Sequence, residues 1–316
     1  MKQTLRRLVV PAVAAVMTMS AVMYANAGTE EADSAVSASG PKDMALRVMS
    51  YNIGQARGLD GDVSVHRVAH RIAESGAEVV ALQEVDVHWS TRSDLRDQAA
   101  ELADLLGMHM YFAPIYSFEP DYDPENPNGD DNIPAPPGAT QRAFGLAILS
   151  EYPIVAAQNH ELTRMVGRGP DRGQVKPIPG FADVTVNVKG AHVRVFSSHL
   201  QAGATQLATE IRTTQVAEIM EIIGDEPAKT ILMGDLNGAV EPDSPVYRPE
   251  ILPLFGVLDD AWEMGEGDGH TFRAGNPDRR IDFVLASSDV VVNSAEVLAL
   301  DASDHLPVVA DVTLRK

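Results

Sequence analysis

The chain has 316 residues, of which 45 are acidic and 25 basic, so its formal net charge is −20 at pH 7. It contains no cysteine, which excludes disulfide bonds, thiolate metal sites and cysteine nucleophiles. A surface this acidic repels phosphate backbones and anionic lipids, so the net charge does not favour nucleic acid as a partner.

The N-terminal residues are typical of a secretory signal peptide. Arg6 and Arg7 precede an apolar run over 8–23, and small residues surround Ala27. We predict a signal peptide over residues 1–27 that is cleaved after Ala27, so that the mature protein is secreted. An uncleaved membrane anchor is the alternative, but the run is shorter than the roughly 20 residues of a membrane span. The paired arginines leave the export route open.

The rest of the chain divides into a short linker and one large domain. A polar segment over 28–43 follows the predicted leader, and residues 44–316 contain no second break in composition. We expect the mature protein to be a monomer without a membrane anchor.

Short apolar runs alternate with helical patterns along this domain. Runs of strand length that are rich in β-branched residues lie at 45–53, 79–85, 193–200, 230–236, 281–286 and 306–314. Helical spacing of apolar side chains occurs at 65–72, 95–106 and 211–222. The alternation predicts an α/β domain with a buried sheet.

Two long segments interrupt this alternation. Residues 117–142 are rich in Pro, Asp, Asn and Gly, which favours a solvated specificity loop over a calcium site. Residues 163–180 are predicted to form a second loop, whose basic side chains are Arg164, Arg168, Arg172 and Lys176. This loop is either an ordinary charged loop or a basic rim that docks a substrate phosphate, with Arg172 as the candidate ligand.

Polar and ionisable residues recur at the ends of the predicted strands. They are Asn52, Glu84, His199, Asp235, Asn237, Asp282, Asp304 and His305. Each could be a strand-end cap or turn residue by itself, but side chains at the ends of neighbouring strands can converge. The adjacent carboxylate and imidazole of Asp304 and His305 can hold a divalent cation and take a proton from water, which indicates metal-assisted hydrolysis.

The combined motifs resemble the endonuclease/exonuclease/phosphatase superfamily of deoxyribonuclease I-like, metal-dependent phosphoesterases. The strongest matches are 234–237 (Gly-Asp-Leu-Asn), 303–305 (Ser-Asp-His) and 83–84 (Gln-Glu), with support from 51–52 and 145–153. The resemblance runs from Arg47 to Leu314 and implies a four-layer α/β sandwich, in which two mixed β-sheets pack face to face and are flanked by helices.

The resemblance also implies a Mg²⁺ or Mn²⁺ site. Glu84 would be its main ligand, completed or supported by Asn52 and Asp304. Oxygen ligands of this kind suit a hard cation. Some members carry an acid where this chain has Gly54, so the number of metal ions is left open.

The remaining roles implied by the resemblance form one catalytic set. His305 would be the general base that activates water, and Asp282 would orient it. Asp235 and Asn237 would position the nucleophile and a phosphate oxygen. His199 would stabilise charge or protonate the leaving oxygen. Asn52, Asn237 and Arg172 are the candidate substrate-binding residues.

We therefore predict a secreted, divalent-metal-dependent phosphoesterase that hydrolyses a phosphodiester by one-step attack of water. The alternatives are a phosphomonoesterase of an inositol or lipid phosphate, an extracellular nuclease and, least favoured, a binding module without turnover. The sequence does not choose among nucleic acids, lipid headgroups, inositol phosphates and small diesters as the substrate.

Overall fold

The computed structural model describes residues 43–125 and 138–315. The predicted signal peptide, the predicted linker up to residue 42 and residues 126–137 of the first long loop lie outside the described residues. The domain boundaries proposed from the sequence therefore stay predictions.

Twelve strands and three α-helices follow one another within the described part of the chain. In order they are β1 (Met44–Asn52), α1 (Val65–Ser75), β2 (Val79–Val87), α2 (Gln98–Leu106), β3 (His109–Phe118), β4 (Arg142–Ser150), β5 (Ile154–Met165), β6 (Val175–Val188), β7 (Ala191–His199), α3 (Gln206–Ile223), β8 (Thr230–Asp235), β9 (Asp259–Asp260), β10 (Asp282–Ala286), β11 (Val290–Val297) and β12 (Val308–Leu314). Short 3₁₀ helices occupy Gly54–Ala56, Thr91–Ser93, Pro249–Gly256 and Ala261–Met264.

The strands form two mixed, six-stranded sheets. The first has the order β11-β12-β1-β2-β4-β3 and the second the order β5-β6-β7-β8-β10-β9. Each sheet has a parallel pair at its centre, β1 with β2 and β7 with β8. The predicted α/β sandwich with two mixed sheets is confirmed.

The alternating directions of side chains along the central strands explain the layers of the fold. In β1, Val48 belongs to the core between the sheets, whereas Met49 belongs to the core on the outer side of its sheet. Helices α1 and α2 contribute to that outer core, and α3 contributes to the corresponding core of the second sheet. Because successive strand side chains point to opposite faces, both faces of each sheet are buried and four layers result.

Capping residues set the limits of the first two helices. Ser64 caps α1, where its side chain accepts a hydrogen bond from the Arg67 N–H, and Gly76 ends the helix in the left-handed conformation. Helix α2 begins at Gln98, with Asp97 as its cap, whereas the spacing of apolar residues predicted a start at residue 95. Leu95 lies outside it because its φ of 56° is incompatible with an α-helix.

Half of the predicted loop over 163–180 is strand, which corrects the sequence analysis. Strand β5 continues to Met165 and β6 begins at Val175, so only 166–174 form the loop of a hairpin. Pro177 and Pro179 are tolerated because this part of β6 pairs with β5 alone, and its pairing with β7 begins only at Phe181.

The strand directions bring the polar strand ends together. Strands β1, β7 and β8 finish at the edge where β10 begins, since the register pairs His199 with Asp235 and Asp235 with Asp282. Strand β2 passes this edge at Gln83, which pairs with Asn52, and continues to Val87, so Glu84 lies inside its strand and not at the strand end that the sequence suggested. No α-helix of the described residues has the length and apolar character needed to cross a membrane.

Candidate functional site

A buried histidine and a buried aspartate form the firmest contact of this edge. Nδ1 of His305 lies 2.9 Å from Oδ2 of Asp282, and both side chains are almost completely enclosed. The Phe272 ring packs on the imidazole with centroids 4.6 Å apart. The Asp282 contact leaves Nε2 of His305 as the nitrogen that faces the other polar groups.

Backbone contacts fix the two partners. The Asp282 N–H donates to Oγ1 of Thr271 at 3.3 Å, and the His305 N–H donates to Oγ of Ser303 at 3.2 Å. The Ser303 hydroxyl in turn donates to the Asn52 carbonyl at 2.8 Å. Oδ1 of Asp282 is buried and has no hydrogen-bond partner among the described residues.

Asp235 lies at the centre of the site. Its Oδ2 atom is 3.4 Å from Nε2 of His199, 3.8 Å from Nε2 of His305 and 3.1 Å from Nδ2 of Asn52. Its Oδ1 accepts a hydrogen bond from the Asn237 N–H at 2.8 Å. Burial and the neighbouring Asp282 carboxylate raise the pKa of Asp235, although the two imidazoles counteract this.

Close packing of two strands requires a glycine beside this carboxylate. A Cβ atom built on Gly234 would lie 2.1 Å from the carbonyl oxygen of Ser198. Only glycine therefore lets β8 approach β7 closely enough to place Asp235 next to His199.

Glu84 reaches the site through a β-bulge. The pairing of β2 with β4 shifts between Leu82 and Val85, and Glu84 adopts a φ of 57° at that point. A bulge redirects a side chain that regular alternation would send elsewhere. The Glu84 carboxylate accepts from Nδ2 of Asn52 at 3.2 Å and from the Gln55 side chain, and it stays partly open to solvent.

Asn52 connects the two halves of the site. Its Oδ1 accepts from the Gly54 N–H at 3.1 Å, and its Nδ2 is directed at the carboxylates of Glu84 and Asp235. The amide is thus oriented as a donor to both carboxylates. Its predicted role as a metal ligand stays a prediction.

Asp304 occupies the exposed margin of the site. A Cβ on Gly54 would lie 3.2 Å from Oδ1 of Asp304, which places this carboxylate over the turn that follows β1. The glycine at position 54 keeps this space open for the carboxylate.

Neighbouring carboxylates have a larger effect than burial on the pKa of His305. Burial by itself would lower the pKa of the imidazole, but the carboxylates of Asp282, Asp235 and Asp304 outweigh burial and raise the pKa to about 10. A site with this many carboxylates also attracts a cation.

Two different sets of residues could hold that cation. The predicted set has the partly open Glu84 and the exposed Asp304, supported by Asn52. A second set consists of Asp235, Asp282 and His305, whose possible ligand atoms all lie within 4.8 Å of one another. Both sets supply mainly carboxylate oxygens, and the unpartnered Oδ1 of Asp282 is one of them, so the residues fit a hard divalent cation.

The structure brings most of the predicted site residues together. Direct contacts join Asn52, Glu84, His199, Asp235, Asp282 and His305. Asn237 is adjacent, but its side-chain nitrogen donates to the Leu200 carbonyl at 3.0 Å. The Arg172 side chain is exposed on the hairpin loop and has no hydrogen bond or ion pair with the described residues, so its role stays a prediction.

Three contributing residues were missed in the sequence. Gln55 contacts Glu84, Thr271 holds the Asp282 backbone, and Phe272 packs on His305. Gln55 follows the first strand end closely and could have been found by that position. Thr271 and Phe272 lie in an irregular segment that carries no sequence signal.

The chain is similar to known proteins in sequence and in fold. A family model described as Endonuclease/Exonuclease/phosphatase family matches residues 49–305. No curated protein is significantly similar to the sequence. Among solved structures, an endonuclease/exonuclease/phosphatase from Beutenbergia cavernae is 26% identical over 85% of this chain and 72% of its own, with a TM-score of 0.68.

Two further structures share the fold at lower identity. The human nocturnin catalytic domain with bound sulfate is 21% identical over 86% of this chain and 96% of its own, with a TM-score of 0.56. A mannosyl-6-phosphatase from Bacteroides thetaiotaomicron is 20% identical over 84% of this chain and 99% of its own, with a TM-score of 0.55.

Proposed function

Because this chain belongs to the endonuclease/exonuclease/phosphatase family, whose members hydrolyse phosphoesters, we propose that it hydrolyses a phosphodiester by direct attack of water. The observation that carries the proposal is the buried contact between His305 and Asp282, which leaves Nε2 of His305 facing the polar site. An imidazole held by a carboxylate is a competent general base.

In the proposed reaction His305 takes the proton of the attacking water at Nε2. Asp282 holds Nδ1–H and stabilises the imidazolium as it forms. Asp235 and Asn237 orient the water and a phosphate oxygen, and Asn52 fixes the carboxylates of Asp235 and Glu84. This division of tasks needs no covalent intermediate.

His199 is proposed to act on the other side of the phosphate. It lies at the end of β7 with Nε2 3.4 Å from Asp235, and it is partly exposed. From this position it donates a hydrogen bond to a phosphate oxygen or a proton to the leaving oxygen. Leaving-group protonation is most useful for alkoxide leaving groups, since these are strong bases.

Glu84, with Asp304 and Asn52, would hold a divalent cation, Mg²⁺ or Mn²⁺. The positive charge of the cation would neutralise the phosphate, and it would oppose the effect of the carboxylates on the pKa of His305. Such a cation would lower the pKa of His305, which the carboxylates raise to about 10, toward the range in which the imidazole is unprotonated at neutral pH and can accept a proton. We prefer Glu84 as the main metal ligand over the buried set of Asp235, Asp282 and His305 because Glu84 is partly exposed, which lets a phosphate reach it.

The proposal of a diester rather than a monoester is tested by comparing two chromogenic substrates. Bis(p-nitrophenyl) phosphate and p-nitrophenyl phosphate carry the same leaving group but differ in charge. With added Mg²⁺ the diester should be hydrolysed faster, and a preference for the monoester would replace the diesterase with a phosphomonoesterase. Plasmid DNA should stay intact under the same conditions because the net charge of −20 opposes its approach.

We also propose that the protein is exported and that residues 1–27 are removed. The basic, apolar and small-residue regions of this segment support the proposal. N-terminal sequencing of the protein collected outside the expressing cells should begin at Gly28. Recovery of the intact N-terminus from the membrane fraction would instead indicate an anchor.

A further inference from the structure

A fully buried glutamine lies at the start of helix α2, beside the strand that carries Glu84. Gln98 is the first residue of α2, its side chain has no exposed surface, and it has no part in the proposed reaction. An amide buried this completely costs free energy unless both of its ends form hydrogen bonds. The partners of the Gln98 side chain therefore indicate its role.

Both ends of the Gln98 amide are bonded to backbone groups, and these groups belong to different segments. Oε1 of Gln98 accepts from the Asp86 N–H at 3.0 Å, and Nε2 donates to the Gln55 carbonyl at 2.7 Å. One partner is a donor and the other an acceptor, so the orientation of the amide is fixed. Asp86 follows Glu84 by two residues in β2, whereas Gln55 lies in the turn after β1. Gln98 thus joins the strand of Glu84 to this turn.

The Gln55 side chain completes the connection to Glu84. Its amide donates to one oxygen of the Glu84 carboxylate, and the other oxygen accepts from Nδ2 of Asn52 at 3.2 Å. Both of these donors come from the segment 52–55, and Gln98 holds the last residue of that segment. The chain of contacts therefore runs from Gln98 to the Gln55 backbone and from the Gln55 side chain to Glu84.

The backbone of the turn needs this support. Gln55 and Ala56 both have a φ of 59°, in the left-handed region that residues with a side chain rarely adopt. Backbone of this kind persists only where surrounding contacts fix it. Gln98 holds the Gln55 carbonyl, and the Ser64 N–H donates to the Ala56 carbonyl at 2.8 Å. Loss of the Gln98 contact would therefore let the turn relax and would displace the Gln55 side chain.

We propose that Gln98 is a positioning residue for Glu84, because it fixes the turn that carries Gln55 and Gln55 orients the Glu84 carboxylate. The effect on the carboxylate concerns the metal-free protein and is independent of the reaction. The effect on cation affinity rests on the proposed function, in which Glu84 is the main metal ligand. Removal of a hydrogen-bond partner of a ligating carboxylate typically lowers metal affinity by about 10- to 100-fold.

The orientation of the carboxylate is tested in EDTA, without metal or turnover. Protein labelled with ¹³C at the glutamate carboxyl carbon gives one NMR resonance per glutamate, and the resonance that is missing in Glu84→Gln belongs to Glu84. Gln98→Met keeps nearly the same size but removes both hydrogen bonds, so the Glu84 resonance should shift. An unchanged Glu84 resonance in Gln98→Met would overturn the proposal.

Cation affinity gives a second measurement. The EPR signal of free Mn²⁺ reports how much of the ion the protein binds, with no substrate present. Gln98→Met should weaken Mn²⁺ binding by about tenfold, the lower end of the range for partners of a ligating carboxylate. Gln98→Ala should weaken the binding and shift the resonance in the same way. The space it leaves admits water to the two backbone groups, so this variant decides if Gln98→Met does not fold.

Two further variants separate positioning from a loss of stability. Ala103→Gly weakens α2 without removing the Gln98 contacts, so it should lower the urea midpoint and leave both the Glu84 resonance and the Mn²⁺ affinity unchanged. In a Gln55→Ala background, Gln98→Met should change the Mn²⁺ affinity by about twofold at most, because the connecting side chain is already absent. The full loss of about tenfold in that background would overturn the route through Gln55.

Glu84→Gln distinguishes failure of this inference from failure of the proposed function. If Glu84→Gln binds Mn²⁺ as tightly as the wild type, Glu84 is not the metal ligand and the proposed function loses its cation site. A shift of the Glu84 resonance in Gln98→Met would then still support the positioning role. If Glu84→Gln weakens Mn²⁺ binding but neither Gln98 variant does, the cation site stands and the role of Gln98 is overturned.

Discussion

Nδ1 of His305 lies 2.9 Å from Oδ2 of Asp282, and the pair is enclosed under the Phe272 ring. This geometry assigns the proton-accepting role to Nε2. His305→Ala should therefore lower kcat for bis(p-nitrophenyl) phosphate by about a hundredfold or more, the usual contribution of a general base. His192→Ala removes an exposed imidazole from β7 and should leave kcat unchanged. A loss under about threefold in His305→Ala would remove His305 from this role.

The contact between His305 and Asp282 also lets us predict how the stability of the protein depends on pH. The pKa of His305 is about 10 in the folded protein and 6.5 as its ordinary value, so folding favours the protonated imidazole. Its contribution to stability is complete below pH 6.5 and is lost as the pH rises toward about 10. Urea unfolding in EDTA should show stability falling over this window.

Comparison with His305→Gln isolates this effect from lysines and tyrosines that titrate in the same range. The variant cannot take up the proton, so the difference in unfolding free energy between wild type and variant should shrink as the pH rises. A difference that stays constant across the window would contradict the raised pKa.

Glu84 is expected to control the metal dependence. Glu84→Gln keeps the size of the side chain but removes the charge, so turnover should fall by about a hundredfold and half-activation should require more Mg²⁺. Glu221→Gln, on the exposed face of α3, is the matched control and should retain full activity. Undiminished wild-type turnover in excess EDTA would contradict a metal mechanism altogether.

Gly234 is expected to be intolerant of even one added methyl group. A Cβ there would lie 2.1 Å from the Ser198 carbonyl oxygen, which belongs to the backbone and cannot rotate away. Gly234→Ala should destabilise the fold by about 1–3 kcal/mol, as overpacking does, and should reduce turnover by moving Asp235. Gly256→Ala, where no atom lies within 4 Å of the added Cβ, is the control. Equal urea midpoints for the two variants would show that β7 and β8 can separate without cost.

Much of the site could be predicted because its residues lie at strand ends. The runs that end at Asn52, His199 and Asp235 are apolar and β-branched, so their strands are visible in the sequence, and neighbouring strand ends converge at one edge. The resemblance then connected these positions to a phosphoesterase. The outer strands were harder to predict, because β5 and the start of β6 are exposed and contain prolines at 177 and 179.

By itself the sequence determined the α/β class, the positions of the central strands along the chain and the identities of the main polar residues. These features depend on the local spacing of apolar and polar residues and on short motifs, both of which can be read from one sequence. Only the tertiary structure decided that a bulge turns Glu84 toward Asn52, that Phe272 covers His305 and that the Arg172 side chain has no hydrogen bond or ion pair with the described residues. Such contacts depend on the pairing register and on loop paths between residues far apart in sequence, and no local pattern encodes them.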